Sequence, residues 1–300
     1  MKKSNLGKEI RKNFEKYLMI APFAIVFLVF VAAPVISSIF LSFTDFNMVQ
    51  KPIFNCLENY IRMFMDDDVF PKVVRNTLFF AVITGPLSYF LCLFLGWMVN
   101  EFGRRTRTLL TFIFYAPSIS GTMYMMWSFI LSGDPSGFLN SILMRLGIIN
   151  TPIQWLTDTK YMLTMIIIVQ LWTSLGTSFL SFIAGFQSID RSWYEAGAID
   201  GIRTRFQELR LITLPSMGPQ LMFAAVMQIG SSFAAGSISI LLVGNPSTDY
   251  AAATIVTHML DVGTMRYEMG YASALAVLLF AAMITVNAGI QKILSRFTNF

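Results

Sequence analysis

Residues 17–44 have the sequence YLMIAPFAIVFLVFVAAPVISSIFLSFT, which is 28 consecutive residues without a formal charge. A helix needs roughly 20 apolar residues to cross the hydrocarbon core of a bilayer, because it rises about 1.5 Å per residue. The whole chain has the same character, since 55% of its 300 residues are hydrophobic and only 13% are charged. A soluble domain carries about 25% charged residues. The chain is therefore an integral membrane protein.

Five further stretches lack charge over a length that can cross a membrane: 76–100, 108–133, 161–189, 211–248 and 269–291. Prolines and glycines near both ends of 211–248 favour one helix there rather than two. The first stretch exceeds the ~7–15 apolar residues of a signal peptide, so we expect it to remain as an anchor. The fold class predicted is all-α, a polytopic membrane protein with six transmembrane helices, near residues 17–42, 76–99, 108–131, 161–185, 217–243 and 269–291.

The basic residues predict the orientation of these spans. With both termini cytoplasmic, 15 of the 22 Lys and Arg residues lie in inner segments and 7 in outer segments. Cytoplasmic segments carry an excess of Lys and Arg. We therefore predict a cytoplasmic N-terminal segment 1–16, a membrane domain 17–291 and a cytoplasmic C-terminal segment 292–300. The basic residues are scattered over short segments, so the net charge of +5 does not indicate a nucleic-acid partner.

Two outer loops are long, 41–75 and 132–160. The first contains Asp66-Asp67-Asp68, a triplet that either binds a cation or, as we expect, forms a solvated turn and N-cap before the next helix. Trp155 near the end of the second loop is expected at the membrane interface, where tryptophan is enriched.

The inner loop 187–215 contains two helix-start signals and one helix-stop signal. Ser192 with Glu195 has the spacing of a capping box, and Thr204 with Gln207 repeats it. Gly201 lies where a helix ends in a left-handed turn, and Pro215 interrupts the chain before the fifth span. The loop is therefore predicted to form a short helix, a glycine turn and a second short helix. Any loop joining two spans can carry such capped helices without a special function.

The same loop resembles the "EAA" loop of ATP-binding-cassette (ABC) importer permeases. The resemblance rests on Glu195-Ala196-Gly197, on Asp200-Gly201 and on Leu214-Pro215. The chain departs from the family pattern at Gly197, where alanine is usual, and at Ala198, where a basic residue is common. These departures are expected to leave the helix looser. By this resemblance, Glu195, Ala196, Gly197, Asp200, Gly201, Leu214 and Pro215 couple the chain to an ATPase.

Shorter motifs extend the resemblance over nearly the whole chain. They are residues 41–45 (LSFTD), 57–60 (LENY), 75–77 (RNT), 115–117 (YAP) and 270–274 (GYASA). Together they are similar to the carbohydrate-uptake branch of these permeases, of the maltose and glycerol-phosphate type. This resemblance implies a permease subunit in a prokaryotic cell membrane that forms half of a pathway for a sugar or oligosaccharide. A non-sugar solute such as glycerol phosphate is the alternative within the family.

The resemblance also implies a set of partners. These are a second, related permease subunit, two cytoplasmic ATP-binding subunits and an extracytoplasmic sugar-binding protein, with membrane lipid around the spans. ATP and Mg²⁺ are then expected on the ATP-binding subunits, with no cofactor on this chain.

The sequence contains no motif for chemistry of its own. Its only Gly-Lys pair, Gly7-Lys8, lacks the glycine spacing of a phosphate-binding loop. His258 is the only histidine, and Cys56 and Cys92 are isolated, so we predict no catalytic residue and no metal site. A membrane enzyme is therefore disfavoured. A self-sufficient secondary transporter or channel is the remaining alternative, although the predicted spans contain no acidic residue for ion coupling.

Substrate contacts are expected from aromatic and polar side chains at membrane depth. The candidates for the substrate pathway are Tyr124, Trp127, Gln170, Trp172, Gln228 and Ser231, with Thr173, Ser174 and Ser232 beside them. The alternative is that these residues only pack helices together, as small residues such as Gly230 and Gly236 do. Asn287 in the last span is equally ambiguous.

Overall fold

The computed structural model describes residues 13–121 and 123–298, with side chains described as far as residue 295. Four helices are long and apolar enough to cross a membrane: α1 (Phe14–Leu41), α3 (Phe70–Asn100), the pair α7 (Met162–Thr173) and α8 (Thr177–Ser188), and α15 (Met269–Thr298). Two bent helix pairs bring the number of candidate spans to six if each pair counts as one. The first pair is α4 (Arg104–Ile119) and α5 (Met123–Ile130); the second is α12 (Gly218–Phe233) and α13 (Ser237–Val243).

The connecting segments contain shorter elements. On the side of the first and second long loops these are β1 (Thr44–Asp45), β2 (Ile53–Phe54), α2 (Glu58–Met65), α6 (Phe138–Arg145), a 3₁₀ turn (Thr248–Tyr250) and α14 (Ile255–Leu260). On the other side are α9 (Arg191–Ile199), α10 (Arg205–Glu208) and α11 (Leu214–Ser216). Three π-helical turns, Leu28–Ala32, Leu209–Thr213 and Asp261–Met265, interrupt or extend these helices.

A two-stranded antiparallel hairpin departs from the all-α prediction. Strand β1 pairs with β2 in the register Thr44↔Phe54 and Asp45↔Ile53. Asn59 of α2 stabilises the segment that leads into β1. The Asn59 side-chain amide donates hydrogen bonds to the carbonyls of Ser42 at 3.0 Å and Thr44 at 2.9 Å.

The buried core lies where α3, α8, α12 and α15 pack together. Phe179 and Phe182 of α8 are fully buried there beside Cys92 of α3 and Met217. A second cluster surrounds Val73 and Leu275, between the outer ends of α3 and α15. Helix α1 lies outside this core, and its outward-facing side chains are as apolar as a lipid-exposed surface requires.

A polar cluster around Asp67 joins the loop before α3 to α14 and α15. The Asp67 carboxylate accepts hydrogen bonds from His258 Nε2 at 2.8 Å and from the Tyr271 hydroxyl at 2.5 Å. Its other oxygen accepts from the backbone N–H groups of Val69 and Phe70 at the start of α3. The N-cap residue of α3 is Val69 and not a member of the acidic triplet, although Asp67 pairs with the first free N–H groups. Asp67 is largely buried, whereas Asp66 and Asp68 are exposed.

The loop between α5 and α7 is folded around Asn140. This fully buried side chain donates to the carbonyls of Ser132 and Ile153 and accepts from the indole N–H of Trp155 at 2.9 Å. Trp155 is therefore buried inside the loop and does not present its ring to the surroundings, as a tryptophan that anchors the chain at a membrane interface would. A buried indole N–H needs an acceptor, and Asn140 supplies one 15 residues earlier in the chain.

Candidate functional site

The segment between α8 and α12 begins with a capped helix, although not at the predicted residue. Asp190 is the N-cap of α9, and its carboxylate accepts a hydrogen bond from the Ser192 N–H at 3.0 Å. This hydrogen bond lowers the pKa of Asp190. The predicted capping box of Ser192 with Glu195 is therefore wrong, because an aspartate two residues before Ser192 already satisfies the free N–H groups.

The glycine turn that ends α9 has the predicted left-handed geometry. Gly201 has a φ of +93°. The N–H of Ile202 donates to the Gly197 carbonyl at 2.9 Å, and the N–H of Gly201 donates to the Ala198 carbonyl at 3.3 Å. These two bonds form a Schellman motif, in which glycine is favoured because other residues are strained at positive φ. Asp200 is the residue that caps the helix before this turn.

Gly197 is packed closely rather than loosely. A Cβ atom at this position would lie 2.6 Å from Ile212 Cδ1 and 3.1 Å from Ile202 Cδ1. Glycine therefore lets α9 approach the π turn Leu209–Thr213 more closely than alanine permits. A hydrogen bond between the Tyr194 hydroxyl and Thr213 Oγ1 at 3.0 Å strengthens the same contact. That Gly197 leaves the helix itself looser than alanine would stays a prediction.

The opposite face of α9 is exposed. Glu195 and Ala196 lie on it, together with two large apolar side chains, Trp193 at 59% exposure and Ile199 at 87%. Neither Trp193 nor Ile199 was predicted from the sequence to be a functional residue. Large apolar side chains in a loop that is otherwise rich in charged residues are the sequence signal for a protein-interaction surface of this kind.

The second short helix has the predicted capping box, which is confirmed. Thr204 Oγ1 accepts from the Gln207 N–H, and Gln207 Oε1 accepts from the Thr204 N–H at 3.1 Å. Arg205 then pairs with Glu208 at 2.8 Å and with Glu101 at the end of α3 at 3.6 Å. Leu214 packs against the core around Met217, whereas Pro215 is exposed.

A polar cavity of about 530 Å³ separates this segment from the ends of α3 and α4.

Residues at three helix breaks line a second cavity, of about 340 Å³. Helix α7 ends before Gly176 and α12 ends before Gly236. At both breaks the glycine N–H donates to the carbonyl two residues earlier, Ser174 at 2.8 Å and Ala234 at 2.7 Å. The third break separates α4 from α5, where Ser120 is extended. Helix breaks at membrane depth occur where backbone lines a cavity or is buried in protein.

Four of the six predicted pathway residues line this cavity: Tyr124, Gln170, Gln228 and Ser231. Thr173 and Ser174 line it as well. The remaining two, Trp127 and Trp172, are not part of its wall; their rings pack edge to face against each other with centroids 5.6 Å apart. Ser232 donates to the Gln228 carbonyl, and Asn287 accepts from Gln291 on an exposed part of α15, so neither has a place in the wall.

The two buried glutamines in the wall differ in their hydrogen bonds. Gln228, 3% exposed, accepts from Ser88 Oγ at 3.0 Å and donates to the Ser174 carbonyl and to Cys92 Sγ, both at 3.3 Å. Gln170 is 7% exposed, and no residue in the described part of the chain hydrogen-bonds its side-chain amide. Gln228 therefore joins three helices, whereas the Gln170 amide is free to bind a ligand in the cavity.

Within the described residues no group of His, Cys, Asp and Glu side chains has the arrangement of a metal site. Cys56 is exposed and Cys92 is buried, and neither forms a disulfide. The chemistry available at the two sites is therefore contact and hydrogen bonding.

These features define a polytopic membrane protein with a polar cavity between its helices and a structured loop at residues 187–215. Residues 88–299 match the family described as "Binding-protein-dependent transport system inner membrane component". The chain belongs to this family. It is therefore a multi-pass membrane component of a transport system and not an enzyme.

Curated relatives are similar over most of their length. A probable ABC transporter permease protein of Bacillus subtilis, YesP, is 32% identical over 95% of this chain and 92% of its own. The lactose transport system permease protein LacF of Rhizobium radiobacter is 31% identical over 70% of each chain. Among solved structures, a bacterial ABC transporter that imports the acidic polysaccharide alginate has the same fold. Its TM-score is 0.80 at 23% identity, over 98% of this chain and 100% of that one.

Proposed function

We propose that the chain forms one half of the translocation pathway of an ATP-driven importer for a sugar or oligosaccharide. The observation that carries this proposal is the cavity at which three helices break, because it combines hydroxyl and amide side chains with an intramembrane position. Sugars are recognised by such groups in a mostly apolar site. The names of the relatives support the substrate class, since they include permeases for lactose and for arabinooligosaccharides.

In this proposal each bent helix pair is one span, so the chain crosses the membrane six times with both termini in the cytoplasm. The distribution of basic residues supports this orientation, because it assigns 15 of 22 to the inner side. It also assigns the segment 187–215 to the cytoplasm and the polar cluster around Asp67 to the external side.

The exposed face of α9 is the proposed docking surface for an ATP-binding subunit. Trp193 and Ile199 supply apolar contact area there, and Glu195 supplies a charge for a basic partner. Asp200, Gly201, Leu214 and Pro215 set the shape of the segment that presents this face. ATP and Mg²⁺ are bound and used on the ATP-binding subunits, and this chain contributes no ligand to them.

The geometry offers a direct mechanical connection from this surface to the cavity. Helix α8 begins beside the cavity at Thr177 and ends at Ser188, and α12 begins at Gly218 and returns to the cavity at Ser231. The two helices pack against each other, so the segment between them moves both together. A displacement of α9 is transmitted because Gly197 and Tyr194 contact the π turn that leads into α12. Rocking of such rigid elements opens and closes a pathway.

The proposal requires partners for the other half of the pathway. A second permease subunit, related to this one, completes the cavity, and a solute-binding protein delivers the saccharide from outside. The secondary-transporter alternative lacks support, because the chain belongs to a binding-protein-dependent family.

Purification of the tagged chain from native membranes in mild detergent tests the proposal. We expect a second six-span chain and an ATP-binding subunit to be recovered with it, with ATPase activity that rises when saccharide-loaded binding protein is added. A chain that is recovered alone, and whose transport needs no ATP, would contradict the proposal.

A further inference from the structure

The wall of the pathway cavity is built from uncharged polar groups. Eight of its side chains carry a hydroxyl and two carry an amide, and the others are small or apolar. The hydroxyl and amide residues are Ser118, Tyr124, Thr173, Ser174, Thr177, Ser178, Ser231, Ser237, Gln170 and Gln228. Such groups form hydrogen bonds with a substrate hydroxyl as donor or acceptor, but they do not neutralise a carboxylate or sulfonate.

The helix ends at the cavity do not supply the missing charge. Each break places the carboxyl end of one helix next to the amino end of the following helix, so their partial charges oppose each other. At the break around Leu175 the carbonyl of Ser174 is already occupied by three donors: the Gly176 N–H, the Gln228 amide and the Cys92 thiol. The field in the cavity therefore favours neither anions nor cations strongly.

The Gln170 amide is the most available of these polar groups. It is more than nine-tenths buried, it faces the cavity, and no described residue hydrogen-bonds it. Its amide atoms are not among the fully buried polar atoms that lack a partner, so they are accessible from the cavity, where a ligand hydroxyl can pair with them. An amide both donates and accepts, which matches a sugar hydroxyl.

We infer that this chain selects an uncharged saccharide, that Gln170 is the residue that determines this choice, and that acidic saccharides are disfavoured. The inference rests on the proposed function. It is not a consequence of the fold, because the alginate importer has the same fold and takes an acidic polysaccharide. A charged group in this wall would lose its hydration without gaining an ion pair.

The test is saccharide binding to the complete transporter in lipid nanodiscs, without binding protein, so that only the membrane subunits select the ligand. The neutral probes are lactose, maltotriose, arabinotriose and xylotriose, and the acidic probes are trisaccharides of alginate and of galacturonic acid. We expect at least one neutral probe to bind about tenfold or more tightly than every acidic one, which corresponds to about 1.4 kcal/mol.

Variants at Gln170 assign the selectivity to this residue. Gln170→Ala is expected to weaken binding of the neutral probe about fivefold to tenfold. Gln170→Lys is expected to reverse the preference in favour of the acidic probes, a result that loss of a packing contact does not produce. Gln291→Ala, on the exposed face of α15, is the matched control and is expected to keep wild-type binding.

The outcomes separate this inference from the proposed function. Equal or tighter binding of an acidic probe by the wild-type protein, or an unchanged preference in Gln170→Lys, overturns the inference and leaves a saccharide importer. Failure of every saccharide probe to bind, together with ATPase activity that does not rise when saccharide-loaded binding protein is added, overturns both.

Discussion

The inner segment 187–215 and the membrane cavity are both candidate sites, but they are built in different ways. The inner segment is set by contacts within about thirty residues: the Asp190 cap, the Gly201 turn and the capping box of Thr204 with Gln207. The cavity is assembled from three broken helices, and its two glutamines lie 58 positions apart in the sequence. Local sequence therefore determines the first site, and long-range packing determines the second. Mutations in the segment 187–215 are therefore expected to impair coupling to ATP hydrolysis, whereas mutations in the cavity are expected to impair stability or ligand binding.

The largest effect is expected at Gly201. Replacement by valine places a β-branched residue at a φ of +93°, which costs about 1–3 kcal/mol and distorts the turn that ends α9. ATP hydrolysis should continue while saccharide uptake falls about tenfold or more. Proteoliposomes that report both rates provide the measurement. Gly103→Val is the control, since Gly103 has a negative φ and open space around its Cβ position. Tightly coupled transport by Gly201→Val would falsify the role given to this turn.

Removal of the Gln228 amide is expected to destabilise the cavity region itself. Gln228→Ala removes three hydrogen bonds that tie α12 to α3 and to the Ser174 break, each of which contributes about 0.5–1.5 kcal/mol. Thermal unfolding in detergent should show a lower midpoint for this variant. Gln170→Ala, which loses no hydrogen bond within the described residues, should shift the midpoint much less. Equal shifts of the unfolding midpoint in the two variants would contradict the assignment of a structural role to Gln228 and not to Gln170.

A moderate effect is expected at Gly197. Gly197→Ala brings a methyl group within 2.6 Å of Ile212 Cδ1, so that either the buried Ile212 side chain or α9 must shift. Uptake per ATP hydrolysed is expected to fall severalfold. Ile212→Val removes that Cδ1 atom, so the double variant should recover most of the coupling, with an interaction energy of about 0.5–3 kcal/mol. An additive double variant would mean that the two residues do not communicate through this contact.

The smallest effect concerns the polar cluster around Asp67, which lies away from both regions. Burial alone raises the pKa of Asp67, but hydrogen bonds from His258 and Tyr271 and the charge of His258 outweigh it and hold the pKa well below 3.8. A carboxyl group whose pKa is lower in the folded than in the unfolded protein stabilises the fold. This stabilisation is complete at a pH above the unfolded-state pKa and is lost as the pH falls toward the folded-state pKa. Wild type should therefore unfold at a higher temperature than Asp67→Asn at pH 7, and the difference should shrink below about pH 4. Uptake at pH 7 should change little, because the cluster contacts neither candidate site.

Much of the membrane domain and the inner segment could be predicted from the sequence, because both depend on local signals. Uncharged runs located the candidate spans, and Gly201 and Thr204 with Gln207 located the turns of the inner segment. The helix breaks were not predicted. The signal was present as a glycine two residues after Ser174 and Ala234, but an isolated glycine in an apolar run is equally typical of close helix packing.

The difference between Gln170 and Gln228 could not be predicted at all. Both are amides in apolar spans, and only the positions of Ser88 and Cys92 on α3 decide which of them is satisfied. For the same reason Trp155 was expected at the membrane interface, since its partner Asn140 is identified only by the folded loop. Two residues of the motifs shared with the permease family have structural roles that only the folded chain reveals. Asn59 supports the hairpin, and Gly270 lies where a Cβ atom would overlap the Thr44 carbonyl.

Reconstituted transport is the most direct test of the central claim, that this chain forms half of a saccharide pathway driven through the inner segment. The chain would be placed in proteoliposomes with its partner permease and ATP-binding subunits, and uptake of a radiolabelled saccharide measured with and without ATP and binding protein. We predict uptake that needs both and that is lost in Gly201→Val while ATP hydrolysis continues. Saccharide uptake by this chain alone, without ATP or binding protein, would contradict the account.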